Sequence, residues 1–145
     1  MPRIHIPSSI RPEVIERADG QCEYCLIHQD DSEASHQMDH LIATKHGGQS
    51  VTANMALACQ LCNRYKGSDL AGIDPERSTI VPIFNPRSQN WNEHFELEGV
   101  RIVGVSSSGR VTVALLHLNS EARLIDREAL VLAGRYPPTP RRPVF

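Results

Sequence analysis

The chain has 145 residues, 40% of them hydrophobic and 5% aromatic, which supports one domain or a small core with an added subdomain. No apolar run approaches the length of a membrane span, and the start, MPRIHIPSSIRPEV, has no apolar signal region, so a cytoplasmic location is expected. The formal net charge of −2 excludes the overall basic surplus typical of nucleic-acid binders, and a nucleic-acid role would need a local basic groove instead.

Residues 1–10 read as an extended arm: Ile4 and Ile6 alternate, and Pro2 and Pro7 oppose helix. RPEVIERADG reads as a short helix with Pro12 in its first turn, Val14, Ile15 and Ala18 on its apolar face, and Gly20 as its stop. It delivers the chain into QCEYC, which holds Cys22 and Cys25. Residues 26–35 are polar and loop-like. His28 is expected at the surface and His36 in a partly exposed loop. Gln37–Leu41 reads as a strand, with Met38 and Asp39 on opposite faces. Thr44–Ala53 is a long loop whose Gly47-Gly48 pair permits backbone angles closed to other residues. Asn54 closes it, and MALA follows as a strand that pairs with Gln37–Leu41 in an antiparallel hairpin. Cys59 and Cys62, in CQLC, turn the chain into a helix through about Lys66–Asp69.

The four cysteines are the first functional signal. A C-x-x-C turn points two thiolates at one ion, and two such turns complete a four-thiolate zinc site. A disulfide between adjacent C-x-x-C thiols is strained, and cytosolic thiols stay reduced. A redox C-x-x-C explains one pair but not a matched second one. Four protein ligands leave no open position, so Cys22, Cys25, Cys59 and Cys62 are expected to hold a structural Zn²⁺.

The second signal is polar and interleaved with the first. MDHLIATKHGG, then Asn54, then CQLCNRYKG, resembles the HNH endonuclease family over residues 22–67. The family's naming positions read His40, Asn54 and Asn63 here. Ala43 is a departure, near where the family often has Pro. The resemblance implies a ββα-metal core and DNA phosphodiester hydrolysis at one divalent cation, Mg²⁺ or Mn²⁺. His40 would be the general base, a role that a neutral imidazole suits near pH 7. Asp39 and Asn63 offer the hard oxygens that such a cation takes. Asn54 joins the catalytic set as the residue that fixes the loop and ring. Lys66 or Arg64 would hold a phosphate. Since neighbouring strand residues point to opposite faces, Asp39 and His40 can share a site only where the strand ends or kinks. Taken singly, each of these residues has an ordinary structural explanation, so a zinc-stabilised binding or interaction module without catalysis is the alternative.

Beyond the centre, Pro75, Pro82 and Pro86 break up residues 70–90, and IVPIF reads as a short strand or an apolar anchor. Trp91 and Phe95 are expected to pack on the core. FELEGVRIVGV reads as two strands around Gly99, and Ser106–Gly109 as a turn. VTVALLHL suits a strand by its β-branched residues and a helix by its apolar spacing. GIDPERSTIVPIFNPR, the following W and HF, and SSGR resemble the tail of bacterial stand-alone HNH proteins, which favours helix there. Asn119 or Ser120 can cap a further helix that Gly134 ends. The expected fold is α+β: an arm and helix (1–20), an HNH core with a four-cysteine zinc site (21–70), a mixed C-terminal extension packed on it (71–136) and a Pro-rich tail (137–145).

Overall fold

The computed structural model describes residues 6–138. Most of the expected arm, and the tail with Arg141 and Arg142, lie outside that range. Helix α1 (Ile10–Arg17) starts after Ser9, carries Pro12 in its first turn, and stops before Gly20, whose φ of +71° suits glycine. It buries Ile10, Val14 and Ala18 against Met55 and Leu57. Arg17 adds hydrogen bonds to the Thr52 and Met55 carbonyls, at 3.0 and 2.8 Å, so α1 is stapled to the next hairpin.

That hairpin pairs β1 (Gln37–His40) with β2 (Met55–Ala58), antiparallel, with Asp39 opposite Ala56 and His40 opposite Met55. Strand β2 is buried on both faces. Its period of two sorts Met55 and Leu57 toward α1, and Ala56 and Ala58 into a larger core with the cysteines. Helix α2 (Gln60–Lys66) follows at once, and Cys59 is its N-cap. Strand, strand and helix thus come in the ββα order that the sequence suggested.

The rest of the chain is mixed. Strands β3 (Ala71–Ile73) and β4 (Ile80–Pro82) form a second hairpin. Its first strand had no clear signal, because AGI is three residues with a glycine at its centre. Ile83 and Phe84 then enter the core, so IVPIF is strand and anchor together. A single helical turn, α3 (Trp91–His94), leads into β5 (Phe95–Glu98) and β6 (Arg101–Gly104), the two strands expected around Gly99. Phe95 packs edge-on against Phe84, centroids 5.2 Å apart, and Trp91 lies beside it.

Ser106–Gly109 is not a free turn but the start of helix α4 (Ser107–Leu115). The Ser106 hydroxyl accepts from the Gly109 N–H at 3.0 Å, an N-cap that a serine before a glycine did not announce. VTVALLHL is helical as far as Leu115, against the β propensity of Val111, Thr112 and Val113. Thr112 returns its hydroxyl to the Ser108 carbonyl at 2.7 Å and accepts the Phe84 N–H at 2.9 Å. Tertiary packing therefore overrides local preference. Helix α5 (Glu121–Leu132) closes the described chain. Asn119 does not cap it; its amide bonds both backbone groups of Ile102, at 2.9 and 2.8 Å. Among the described residues no helix is long and apolar enough to cross a membrane.

Candidate active site

The two C-x-x-C turns meet. Cys22 and Cys25 leave α1 on a tight turn in which the Cys25 N–H reaches the Cys22 sulfur at 3.5 Å. Cys59 and Cys62 do the same at the start of α2, at 3.4 Å. All four Sγ atoms are buried and lie within 4.8 Å of one another, with Cys25 and Cys59 at 3.7 Å. Zn–S bonds of about 2.3 Å in a tetrahedron put sulfurs about 3.8 Å apart, so the donor set fits zinc. Burial pushes the Cys22 and Cys62 thiols well up, and hydrogen bonds from the other three cysteines push Cys25 well down. Four thiolates at this depth require a cation among them. The cluster also has a protein cation that the sequence did not reveal. Arg123 of α5 is buried, with Nη2 3.0 Å from the Cys62 sulfur.

One strand away lies the polar set. Asp39 is 2% exposed and Lys66 3% exposed. Lys66 donates to Asp39 Oδ1 at 3.1 Å and to the His40 carbonyl at 3.1 Å. Tyr24, between the first two cysteines, donates its buried hydroxyl to Asp39 Oδ2 at 2.6 Å. Burial raises the Asp39 carboxyl above its ordinary range, against the pull of Lys66 and Tyr24. Asn63 sits on the same face of α2 and donates to the Gln37 side chain at 2.5 Å. Gln37 and Asp39 are two apart on β1 and both face α2, whereas His40 turns the other way. Its Nε2 lies 2.9 Å from the Ser50 hydroxyl, across the long loop. Strand β1 ends at His40, with the Asp39 carboxylate against α2 and the His40 ring against the loop.

Asn54 ties that loop shut. Its amide oxygen accepts the Ile42 N–H, and its amide nitrogen donates to the Ile42 and Gln49 carbonyls, each at 2.9 Å. Gly48 lies inside the same closure, where a Cβ would fall 1.7 Å from the Ile42 carbonyl oxygen. Asn54→Ala deletes three hydrogen bonds and is expected to cost about 1–3 kcal/mol. Urea unfolding measures the loss, and hydrogen exchange at residues 42–54 locates it.

Several expectations need correction. His36 is not an exposed loop residue: it is 1% exposed, with Nε2 2.8 Å from the Ile27 carbonyl. It fills the space between β1 and the loop after the first knuckle, which its polar neighbours in sequence concealed. His28 is half-buried and caps the turn at Gln29–Asp31 through Nδ1. Tyr136, the last residue of the expected extension, is buried, and its hydroxyl donates to the Cys25 carbonyl at 2.9 Å. Lys66 points inward to Asp39, not outward to solvent, while Arg64 on α2 is exposed. Lys66→Met would strip a buried carboxylate of its ion partner, at an expected cost of about 3–5 kcal/mol in urea unfolding.

The family model that matches this arrangement is that of the HNH endonuclease, over residues 22–69. Those residues are an HNH domain. It takes in all four cysteines, Tyr24, Asp39, His40, Asn54, Asn63, Arg64 and Lys66, but neither Arg123 nor Tyr136. The Septu protein PtuB of Bacillus thuringiensis is 25% identical over 124 residues, 84% of this chain and 46% of that relative. The chain thus spans less than half of that relative's length. No solved structure matches at a significant level. Around the HNH domain, Glu23 binds β2 by accepting the Leu57 N–H at 2.7 Å and pairs with Arg87 of the segment that follows. Trp91 donates to the Tyr24 carbonyl at 2.9 Å. The first knuckle is therefore held by β2 within the domain and by the segment that follows it.

Proposed function

We propose that this chain is a metal-dependent HNH endonuclease that hydrolyses DNA phosphodiester bonds. The observation that carries the reading is an Asp-His pair at the end of β1, with Asp39 facing the Asn63-bearing helix and His40 facing the long loop, inside a segment that matches the HNH family. In this reading His40, on the open side of the strand, takes the proton of the attacking water. Burial lowers its pKa, against the pull of Asp39, and so keeps it neutral near pH 7. Asn54 fixes the loop that faces the His40 ring. Asp39 and Asn63 would hold Mg²⁺ or Mn²⁺, which when bound relieves charge at the scissile phosphate. Asp39 suits this in kind, but Lys66 now occupies Oδ1, so the ammonium has to shift for a cation to reach it. Tyr24 keeps the carboxylate oriented. Arg64, exposed on α2, is the better phosphate contact, with Lys66 reserved for Asp39. Zinc at the four cysteines is structural, and reduced buried thiols fit the cytoplasm.

A second reading has its own support. Asp39 is nearly sealed by Tyr24 and Lys66, as it would be in a zinc-stabilised module that binds nucleic acid without cutting it. A labelled DNA duplex separates the two. Cleavage products on adding Mn²⁺ to a complex formed in EDTA-free buffer without Mg²⁺ support the nuclease; a retained, uncut complex supports the module.

A further inference from the structure

Helix α5 carries two arginines four residues apart, Arg123 and Arg127, and so on one face. They are 3% and 0% exposed. Burying a guanidinium costs several kcal/mol, which a carboxylate usually offsets. No ion pair among the described residues includes either one. Arg123 donates to the Leu116 carbonyl at 2.9 Å and to two sulfurs, Cys62 at 3.0 Å and Cys59 at 3.7 Å. Arg127 donates to the Val100 carbonyl at 2.8 Å and to Asn119 Oδ1 at 3.1 Å, and its Nη1 has no partner among the described residues. The anionic group within reach of Arg123 is the cysteine cluster, which its Nη2 touches at Cys62 and Cys59. The same stretch of chain adds Tyr136, which donates to the Cys25 carbonyl.

Four thiolates around Zn²⁺ carry two negative charges, and the Arg123 guanidinium in contact with them offsets one. An empty thiol cluster carries far less charge and would leave the Arg123 guanidinium buried without an anion.

We propose that helix α5 is the counter-ion of the metal centre, so that metal occupancy and the docking of residues 116–136 are one equilibrium. Arg123 acts by direct hydrogen bonds to Cys62 and Cys59. The metal centre therefore extends beyond the HNH segment, into a helix that the family match leaves out. Loss of zinc releases the C-terminal helix as well as the two knuckles. The inference rests on zinc at the four cysteines and is independent of nuclease activity.

The test uses the full zinc-loaded chain, with Arg123→Met and Arg123→Lys beside it. A chromogenic chelator competes for the metal, and hydrogen exchange by mass spectrometry follows the helix. Arg123→Met is expected to weaken zinc retention by about 10-fold or more, the usual effect of removing an outer-sphere partner. Arg123→Lys, which keeps the charge but not the fork, should fall between it and wild type. The sulfur-to-metal charge-transfer band of the Co²⁺-loaded protein should shift in Arg123→Met. Stripping zinc from the wild type should speed exchange across 116–132 in step with the cysteine turns. Zinc retention in Arg123→Met within threefold of wild type would overturn the proposal. So would a zinc-free wild type whose residues 116–132 stay protected while the knuckles open. If Arg123→Met does not fold, Arg123→Gln replaces it in the zinc-retention assay, and retention within threefold of wild type overturns the proposal in the same way.

Discussion

His40→Ala is expected to lower metal-dependent DNA nicking by about 10²- to 10⁴-fold, the range for loss of a positioned general base. The fold should survive the change. His40 is the last residue of β1, and the side-chain contact it makes is with the Ser50 hydroxyl, on a loop already closed by Asn54. Zinc content and melting temperature should therefore stay close to wild type. The pH profile carries the sign of the base. A histidine works as a base only when neutral, hence above its pKa. Burial lowers the His40 value, with Asp39 opposing. The rate should rise with pH through a midpoint below the ordinary histidine value of about 6.5 and then level off. Single-turnover cleavage of a plasmid across pH 5–8 (roughly the histidine window) measures both effects. Equal cutting by the alanine variant would remove His40 from the chemistry.

Removing the cysteine-bound metal is the second large effect. Cys22, Cys25 and Cys62 are fully buried and share one core with Tyr24, Phe84, Phe95, Ile102, Leu116 and Leu118. Structural zinc contributes roughly 10–16 kcal/mol of apparent binding energy in small domains, against a typical net stability of roughly 5–15 kcal/mol. Cys25→Ser, or chelation of the metal from the wild type, should abolish cooperative unfolding. Thermal melting by near-ultraviolet circular dichroism, with zinc measured in the same sample, checks this. A sharp transition in a zinc-free sample would show that the apolar core suffices without the ion.

What the sequence made legible was carried by short spacings. Two C-x-x-C pairs fixed the metal cluster, and Asp39-His40 before a Gly-Gly loop fixed the hairpin and its end. Contacts between distant segments were not legible. Arg123 and Cys62 lie 61 positions apart and touch only because α5 docks on the knuckles. Nothing local marks an arginine in an amphipathic helix as a partner for sulfur. Tyr24 could be guessed to be buried between two cysteines, but its bond to Asp39 spans 15 positions and depends on the hairpin register. Lys66 shares a helix face with Asn63, as spacing required; that it turns inward follows from β1 lying across α2. The helix at Val111–Leu115 was ambiguous because strand and helix patterns overlap over so few residues.

The most direct measurement is the conversion of supercoiled plasmid to open circle by the zinc-loaded wild type as Mn²⁺ is titrated from zero. The nuclease reading predicts no conversion before Mn²⁺ is added, a rate that rises and saturates with Mn²⁺, and its loss in His40→Ala. Folded, zinc-replete protein that shifts the plasmid on a gel yet leaves it supercoiled at every Mn²⁺ concentration would contradict it.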